Sequence, residues 1–238
     1  MRGPYGFEMS ESCQICKLRK AGFFCQIPPH AIKDFELVKS SSAYPEGSIL
    51  FMEKQEPQGV FLLCEGEVKL TISSSEGKTL ILRIAKPGEI LGLVSTLSAK
   101  PYEVTAETLR PCHMVYIRRD DFMRLLAHHP EFLQGVVKQL SSNYQNACDQ
   151  LRTVGLSSSA PEKLARMLLE WSAGATDKGP GAEIKMPLTH EEIAELIGSS
   201  RETVTRTLSE FKSKRLLSLK GSRLMIWNRA GLENFVSA

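Results

Sequence analysis

LTHEEIAELIGSSRETVTRTLSEFKSKRLL, residues Leu188–Leu217, decides the fold. Thr189 followed three residues later by Glu192 forms a capping box, which satisfies orphan backbone donors at a helix start. Ile193, Leu196 and Ile197 give that helix its apolar face. Gly198 ends it, because glycine takes the left-handed conformation past a last turn at no steric cost. Ser199 or Ser200 then caps a second helix. In this helix Val204, Leu208 and Phe211 recur at i, i+4 and i+7 and face inward, which puts Arg201, Glu202, Thr205 and Arg206 on the opposite face. Arginine can donate two parallel hydrogen bonds to guanine O6 and N7, and glutamate can accept from the cytosine amino group. The pattern predicts a recognition helix in the major groove. Leu216, Leu217 and Leu219, the turn Lys220-Gly221-Ser222, and Leu224, Met225 and Ile226 predict a two-stranded wing whose basic residues reach phosphates. Between Arg201 and Arg229 eight basic residues face two acids, the local surplus a polyanion surface needs. A solvated charged face would account for the charges alone. The caps, turn, inward stripe and wing together predict binding to double-stranded DNA.

Upstream, Ser157-Ser158-Ser159-Ala160-Pro161 reads as a hinge, followed by a helix with Leu164, Met167, Leu168 and Trp171 on one face. Before the hinge, Leu133, Val137, Leu140, Tyr144, Ala147 and Leu151 are spaced by four and three residues in alternation, an a/d seam that predicts a two-helix coiled coil and a homodimer. A helix packed on its own β-domain is the alternative. Further upstream, from Phe35 to Phe122, glycine turns separate short alternating strands. Val68, Leu70 and Ile72 share one face, as do Leu80, Leu82 and Ile84 after the Glu76-Gly77 turn, which predicts a hairpin with one buried side.

The 238 residues suffice for two domains, and 42% hydrophobic with 24% charged residues is ordinary for a globular protein. No stretch approaches the roughly twenty apolar residues of a membrane span, and the N-terminus lacks the apolar run of a signal peptide. The expected location is the cytoplasm, where six cysteines point to metal, redox chemistry or burial rather than to a disulfide framework. No nucleotide-binding glycine loop, His-Glu-x-x-His or Gly-x-Ser-x-Gly motif is present, so an enzyme is not expected.

The glycine-turn β segment, the long seam helix and the motif GSSRETVTRTL (Gly198–Leu208) together resemble the CRP/FNR family of bacterial regulators over nearly the whole chain. The resemblance implies an α+β architecture: a cyclic-nucleotide-binding-like β-roll (jelly roll), a long dimerisation helix and a C-terminal winged helix-turn-helix. It divides the chain into an N-terminal cysteine-containing arm (1–34), a sensor roll (35–129), a dimerisation helix with hinge (130–156) and a DNA-binding domain (157–238). It places DNA contacts at Ser199, Ser200, Arg201, Glu202, Thr205 and Arg206, implies a palindrome with a GA-containing half-site, and adds RNA polymerase as a partner. In the family's cyclic-nucleotide branch a Gly-Glu pair binds the ribose and an Arg-Ser pair the cyclic phosphate. Here Leu93 follows Gly92 and Pro101-Tyr102 stands at the second position, so that phosphate would be poorly paired. The cysteines are similar to those of the oxygen-sensing branch: Cys13, Cys16 and Cys25 precede the roll, and Cys112 follows Glu107-Thr108 inside it. The resemblance therefore implies a [4Fe–4S] cluster sensing oxygen or nitric oxide, although the spacing before Cys25 is longer than in those sensors. Structural zinc, a thiol switch, haem with His113, a small ligand in the roll, or simple burial are the alternatives. Cys64 and Cys148 read as packing residues.

Overall fold

The computed structural model describes residues 4–7, 13, 25, 28–172, 182–186 and 188–236. Contacts divide the chain into two compact units, one of residues 1–76 and 82–146 and the other of 77–81 and 147–238. Among the described residues no helix is long and apolar enough to cross a membrane.

In the first unit, helix α1 (Pro29–Val38) opens with proline at its first position, where the ring's fixed φ suits the helix and no N–H is lost. Ala31, Ile32 and Phe35 make its buried face. Phe35 is thus helical, α1 runs across the 34/35 boundary expected above, and the strands begin at Lys39. These are β1 (Lys39–Tyr44), β2 (Ile49–Phe51), β3 (Gly59–Glu65), β4 (Val68–Ser73), β5 (Thr79–Ala85), β6 (Ile90–Leu91), β7 (Thr105–Thr108) and β8 (Cys112–Arg118). A short helix α2 (Leu93–Ser98) follows β6, and helices α3 (Arg119–His128) and α4 (Pro130–Leu151) follow β8. The strands form two four-stranded sheets ordered β1-β8-β3-β6 and β2-β7-β4-β5. Antiparallel pairing sets Leu62 opposite Val115 and Leu70 opposite Ala106.

Two apolar layers result. Phe51, Leu63, Leu70, Ala106 and Met114, drawn from both sheets, fill the interior of the roll. On the other face of the first sheet, Val60, Leu62, Val115 and Ile117 meet Phe35 of α1, Phe122 and Leu125 of α3 and Phe132 and Val136 of α4. Both faces of β3 and β8 are covered, which is why VFLLC and HMVYI read as near-continuous apolar runs rather than alternating ones. β5 departs from the expected hairpin face. Ile81 and Ala85 are its buried residues, while Leu80, Leu82 and Ile84 are half-buried. Each side of this strand is partly covered, so alternation does not sort it into core and solvent.

Gln139 fixes α4 to the roll. Its side chain is buried; Oε1 accepts from the Ile90 N–H at 2.8 Å and Nε2 donates to the Ile90 carbonyl at 2.6 Å. One amide thus satisfies both backbone groups of a strand residue, a satisfied buried polar pair that specifies register where an apolar side chain could slide.

The second unit contains α5 (Ala160–Ser172), β9 (Ala182–Lys185), α6 (His190–Ile197), α7 (Arg201–Ser213), β10 (Leu217–Lys220), β11 (Arg223–Ile226) and α8 (Arg229–Val236). Leu164 and Leu168 of α5, Ile193 and Ile197 of α6, Phe211 of α7 and Leu232 of α8 are essentially inaccessible. The wing has three strands, ordered β10-β11-β9, not the two expected. β9 pairs with β11 through Ile184 and Leu224, and the Gly-rich stretch 173–181 before it lies outside the described residues.

Candidate nucleic-acid interface

The start of α6 is capped as its sequence requires. Thr189 Oγ1 accepts from the Glu192 N–H at 3.2 Å, and the Glu192 carboxylate accepts from the Thr189 N–H at 2.9 Å. Gly198 ends the helix at φ 61°, ψ 49° with its N–H on the Ala194 carbonyl. A Cβ there would combine a left-handed backbone with an approach of 3.1 Å to the Val154 side chain. Ser200 is the cap of α7, its hydroxyl accepting from the Thr203 N–H at 3.3 Å; Ser199 instead donates its N–H to Ala194.

These two caps fix how α7 is presented. Val204, Thr207, Leu208 and Phe211 are buried, and the Phe211 ring lies 5.0 Å from that of Phe235 on α8. Arg201, Glu202, Thr205 and Arg206 are exposed together on the opposite face. Glu202 is held below the usual carboxylate range by its own backbone N–H, by the Ser200 side chain and by the neighbouring Arg201 charge, so it stands as an acceptor. Thr205 donates its hydroxyl to the Arg201 carbonyl at 2.9 Å and also meets His190 Nδ1 at 2.9 Å. With that hydroxyl proton committed, His190 Nδ1 is the donor of the second bond. His190, on the preceding helix, is a neighbour of the reading face that sequence spacing did not reveal.

The surrounding charge is selective. Lys214 is paired with Glu210 at 2.7 Å, Arg223 with Glu183 at 3.7 Å and Arg229 with Glu233 at 3.0 Å. Arg206, Lys212, Arg215 and Lys220 form no ion pair among the described residues and are exposed. Unpaired cations on a recognition helix and wing are available for phosphate and base contact without first breaking an internal bridge.

The seam of α4 divides as two readings of one helix. Phe132, Gly135, Val136 and Gln139 are its buried face, against the roll. Leu133, Val137, Tyr144 and Leu151 are 43%, 59%, 73% and 70% exposed, with Ala147 exposed and Leu140 half-buried. The helix is therefore packed on its own domain and still carries an uncovered apolar stripe.

At the position that the family resemblance assigns to a cyclic phosphate, the side chains are packed. Gly92 lies at φ 74°, and a Cβ there would come within 2.9 Å of the Tyr102 ring. Tyr102 is 4% exposed and stacks on Phe51 with ring centroids 4.0 Å apart; its hydroxyl donates to the Gly59 carbonyl at 3.0 Å. Leu93 is buried in the apolar layer. Thus a stacked phenol and a buried leucine stand where the resemblance implies a guanidinium and a carboxylate in the cyclic-nucleotide branch.

Among the described thiols, Cys112 stands apart from Cys13 and Cys25. Cys112 and Met114 point into the roll interior, whereas Val115 and Ile117 of the same strand point to the helical side. Cys13 and Cys25 are half-buried against that helical side, together with Cys64, so the first sheet stands between them and Cys112. The Cys112 thiol donates to the Glu67 and Arg110 carbonyls at 3.4 and 3.1 Å, and burial pushes it up to about 11, which keeps it protonated. In this arrangement it does not fit a ligand set with Cys13 and Cys25. At Cys13, Lys39 Nζ donates to the sulfur at 3.5 Å, and the Glu36 carboxylate accepts from the backbone N–H at 2.9 Å. Cys16 lies outside the described residues. His113 is buried, hydrogen-bonded to Ser41 at 2.7 Å, and burial lowers its pKa.

Comparison with known proteins matches residues 42–129 to the cyclic nucleotide-binding domain and residues 162–235 to the Crp-like helix-turn-helix domain. The chain is 26% identical over 210 residues to a CRP-like cAMP-activated global transcriptional regulator of Mycobacterium tuberculosis, covering 88% of this chain and 93% of that protein. It is 27% identical over 202 residues to the transcriptional activator protein FnrA of Stutzerimonas stutzeri, covering 83% and 80% respectively. FixK2 from Bradyrhizobium japonicum shares the fold at a TM-score of 0.73 and 21% identity, over 84% of this chain and 98% of that one.

Proposed function

Because the chain belongs to the CRP/FNR family of DNA-binding transcription regulators, we propose that it works as a homodimer reading a palindromic duplex with a GA-containing half-site through α7. Its relatives and its fold are those of regulators, not of enzymes. The observation that carries the reading is the exposed stripe Arg201-Glu202-Arg206, set between a capped N-terminus and a buried inner face. The arginines suit guanine and the carboxylate suits the cytosine amino group. Thr205, its hydroxyl already bonded, offers its methyl group to a thymine methyl. The exposed stripe of α4 supports pairing of two copies, which sets two reading helices about 34 Å apart, one turn of DNA. Contact with RNA polymerase is part of the same proposal, on the family resemblance alone.

Fluorescence anisotropy on a palindromic duplex and on a scrambled one, each over a range of salt, tests this. The expected result is two chains per site and a preference for the palindrome of about a thousandfold or more. Equal affinity for both duplexes at every salt concentration would leave only non-specific phosphate binding and defeat the proposal.

For the signal, we propose the thiols of the N-terminal arm. Control by cyclic AMP, the ligand named for the Mycobacterium tuberculosis relative, is disfavoured by Tyr102 and Leu93. A [4Fe–4S] cluster on Cys13, Cys16, Cys25 and Cys112 is supported by the family resemblance and opposed by the position of Cys112 on the roll-interior face of β8. Zinc or thiol control through the arm is supported by the contact of Lys39 with Cys13. Anaerobic purification with iron, sulfide and zinc analysis separates these. About four irons and a broad visible band that is lost in Cys112→Ser establish the cluster. Zinc alone, or no metal with rapid alkylation of Cys13, establishes the second reading.

A further inference from the structure

Histidine and carboxylate side chains of α1 and of the junction between α3 and α4 meet on the helical side of the roll. His30 and Asp34 lie four residues apart on α1 and therefore share one of its faces. His129 is the last residue before α4, and Glu131 is in that helix's first turn. His30 Nε2 is 3.4 Å from Glu131 Oε1, and His129 Nε2 is 2.8 Å from Asp34 Oδ2. The two imidazole centroids are 5.8 Å apart. Ligand atoms of His30, His129 and Glu131 all fall within 4.8 Å of one another.

The geometry points to a divalent transition-metal site at His30, His129 and Glu131, with Asp34 as the carboxylate that orients His129. Two imidazole nitrogens with one or two carboxylate oxygens suit Zn²⁺, Co²⁺ or Ni²⁺. Mg²⁺ and Ca²⁺ favour all-oxygen sets, and Cu⁺ favours sulfur. His129 is the anchored member. Its side chain is 12% exposed, its backbone N–H is bonded to the Leu125 carbonyl, and its ring stands edge-on to Phe132. A carboxylate on a ligating imidazole fixes its ring and tautomer, the role Asp34 already fills at 2.8 Å. The side chains of His30 and Glu131, 64% and 47% exposed, leave the site open to water and to exchange with solvent.

Ion pairs alone would also draw these groups together, but solvated pairs of this kind are weak and select no metal. A bound ion joins α1, which follows the cysteine arm, to the first turn of the helix that carries the exposed seam. Occupancy would thereby couple the front of the chain to α4.

The test uses the full-length chain with Co²⁺ as the probe, because cobalt's spectrum separates nitrogen and oxygen ligands from thiolates. Weak visible bands without the intense near-ultraviolet thiolate band are expected for one ion per chain. His30→Gln and Glu131→Gln change exposed side chains and should keep the native circular dichroism. Each should weaken that ion by about tenfold or more, on the scale of losing a ligand-orienting partner. Asp34→Asn should have a smaller effect. Cobalt bound only through sulfur, no binding at about millimolar cobalt, or unchanged affinity in both variants would each overturn the assignment.

Discussion

Along α7, Arg201, Glu202 and Arg206 stand in solvent with no ion pair to another element among the described residues, while in the first unit Tyr102, Cys112, His113 and Gln139 are buried and each meets a protein partner. The DNA-binding unit leaves these side chains exposed, so a partner can reach them. These four groups are satisfied within the first unit, and Tyr102 stands at the position that the family resemblance assigns to a cyclic phosphate. The difference teaches where the signal should not be sought. The stack of Tyr102 on Phe51 offers no guanidinium to an anionic ligand, and we propose the cysteine arm and the His-carboxylate cluster by α4 as the places where a signal enters.

Opening that stack is the most severe way to test the contrast. Tyr102→Ala removes a ring packed on Phe51 and leaves a cavity, at a cost of about 3–5 kcal/mol. Tyr102→Phe keeps the ring and loses one hydrogen bond, about 0.5–1.5 kcal/mol, with Thr96 still donating to the Gly59 carbonyl at 3.0 Å. Chemical denaturation followed at the roll should show this order. Equal losses in the two variants would mean that the stack is not what fills the interior.

Alkaline pH should also separate the units, by a smaller margin. All five tyrosines lie in the first unit, and burial pushes Tyr44, Tyr102 and Tyr116 up, together with Cys112 to about 11. In each case the folded state keeps its proton to a higher pH than the unfolded chain does. The stabilisation is therefore complete below the ordinary thiol and phenol range and is lost as pH rises through the folded values. For Cys112 the loss amounts to about 3 kcal/mol at most. Thermal melts between about pH 8 and 10.5 should lower the roll's transition, and Cys112→Ala should recover part of the drop. A pH-independent roll would show that these groups are not held protonated by burial.

On the exposed side, Arg206→Ala should cost about 1–3 kcal/mol of specific binding per half-site and relax the choice of base at one position, with stability changed by less than about 0.5 kcal/mol. Lys220→Ala should weaken binding to all sequences alike and reduce the salt dependence. Binding data across duplexes carrying single base changes distinguish the two. If Arg206→Ala weakened every duplex equally, Arg206 would be a phosphate contact and the reading stripe would shrink to Arg201 and Glu202.

The same contrast governs how much could be read from the sequence. Thr189, Gly198, Ser200 and the Val204-Leu208-Phe211 stripe act within a few residues of themselves, so the helix-turn-helix was legible from spacing. The exposed seam of α4 was legible for the same reason. What the sequence did not disclose depends on distant partners. β9 becomes a strand only against β11, some forty residues on. Gln139 looks like a solvent residue until Ile90 is placed beneath it. Cys112 follows Glu107-Thr108 at a familiar distance, but the pleat of β8 turns its sulfur inward, and a one-residue difference in strand phase changes the face completely. His129 and Asp34 are 95 residues apart, and nothing in local spacing links them.

The smallest expected effect tests whether the helix-turn-helix is held by the local signals that made it legible. In Thr189→Ala the Glu192 N–H loses its side-chain acceptor, and Glu192 loses the hydroxyl that it accepts from at 3.0 Å. The cost should be about 1 kcal/mol, the usual value for removing a threonine cap. Because Ile193 and Leu196 of α6 are buried and unaltered by this change, the recognition face should keep its shape. DNA affinity should then fall less than stability does, and Thr189→Ser should restore both. A large loss of affinity at unchanged stability would reverse that order. It would mean that the cap positions His190 against Thr205, and through it the reading face, so that the first turn of α6 belongs to the interface itself.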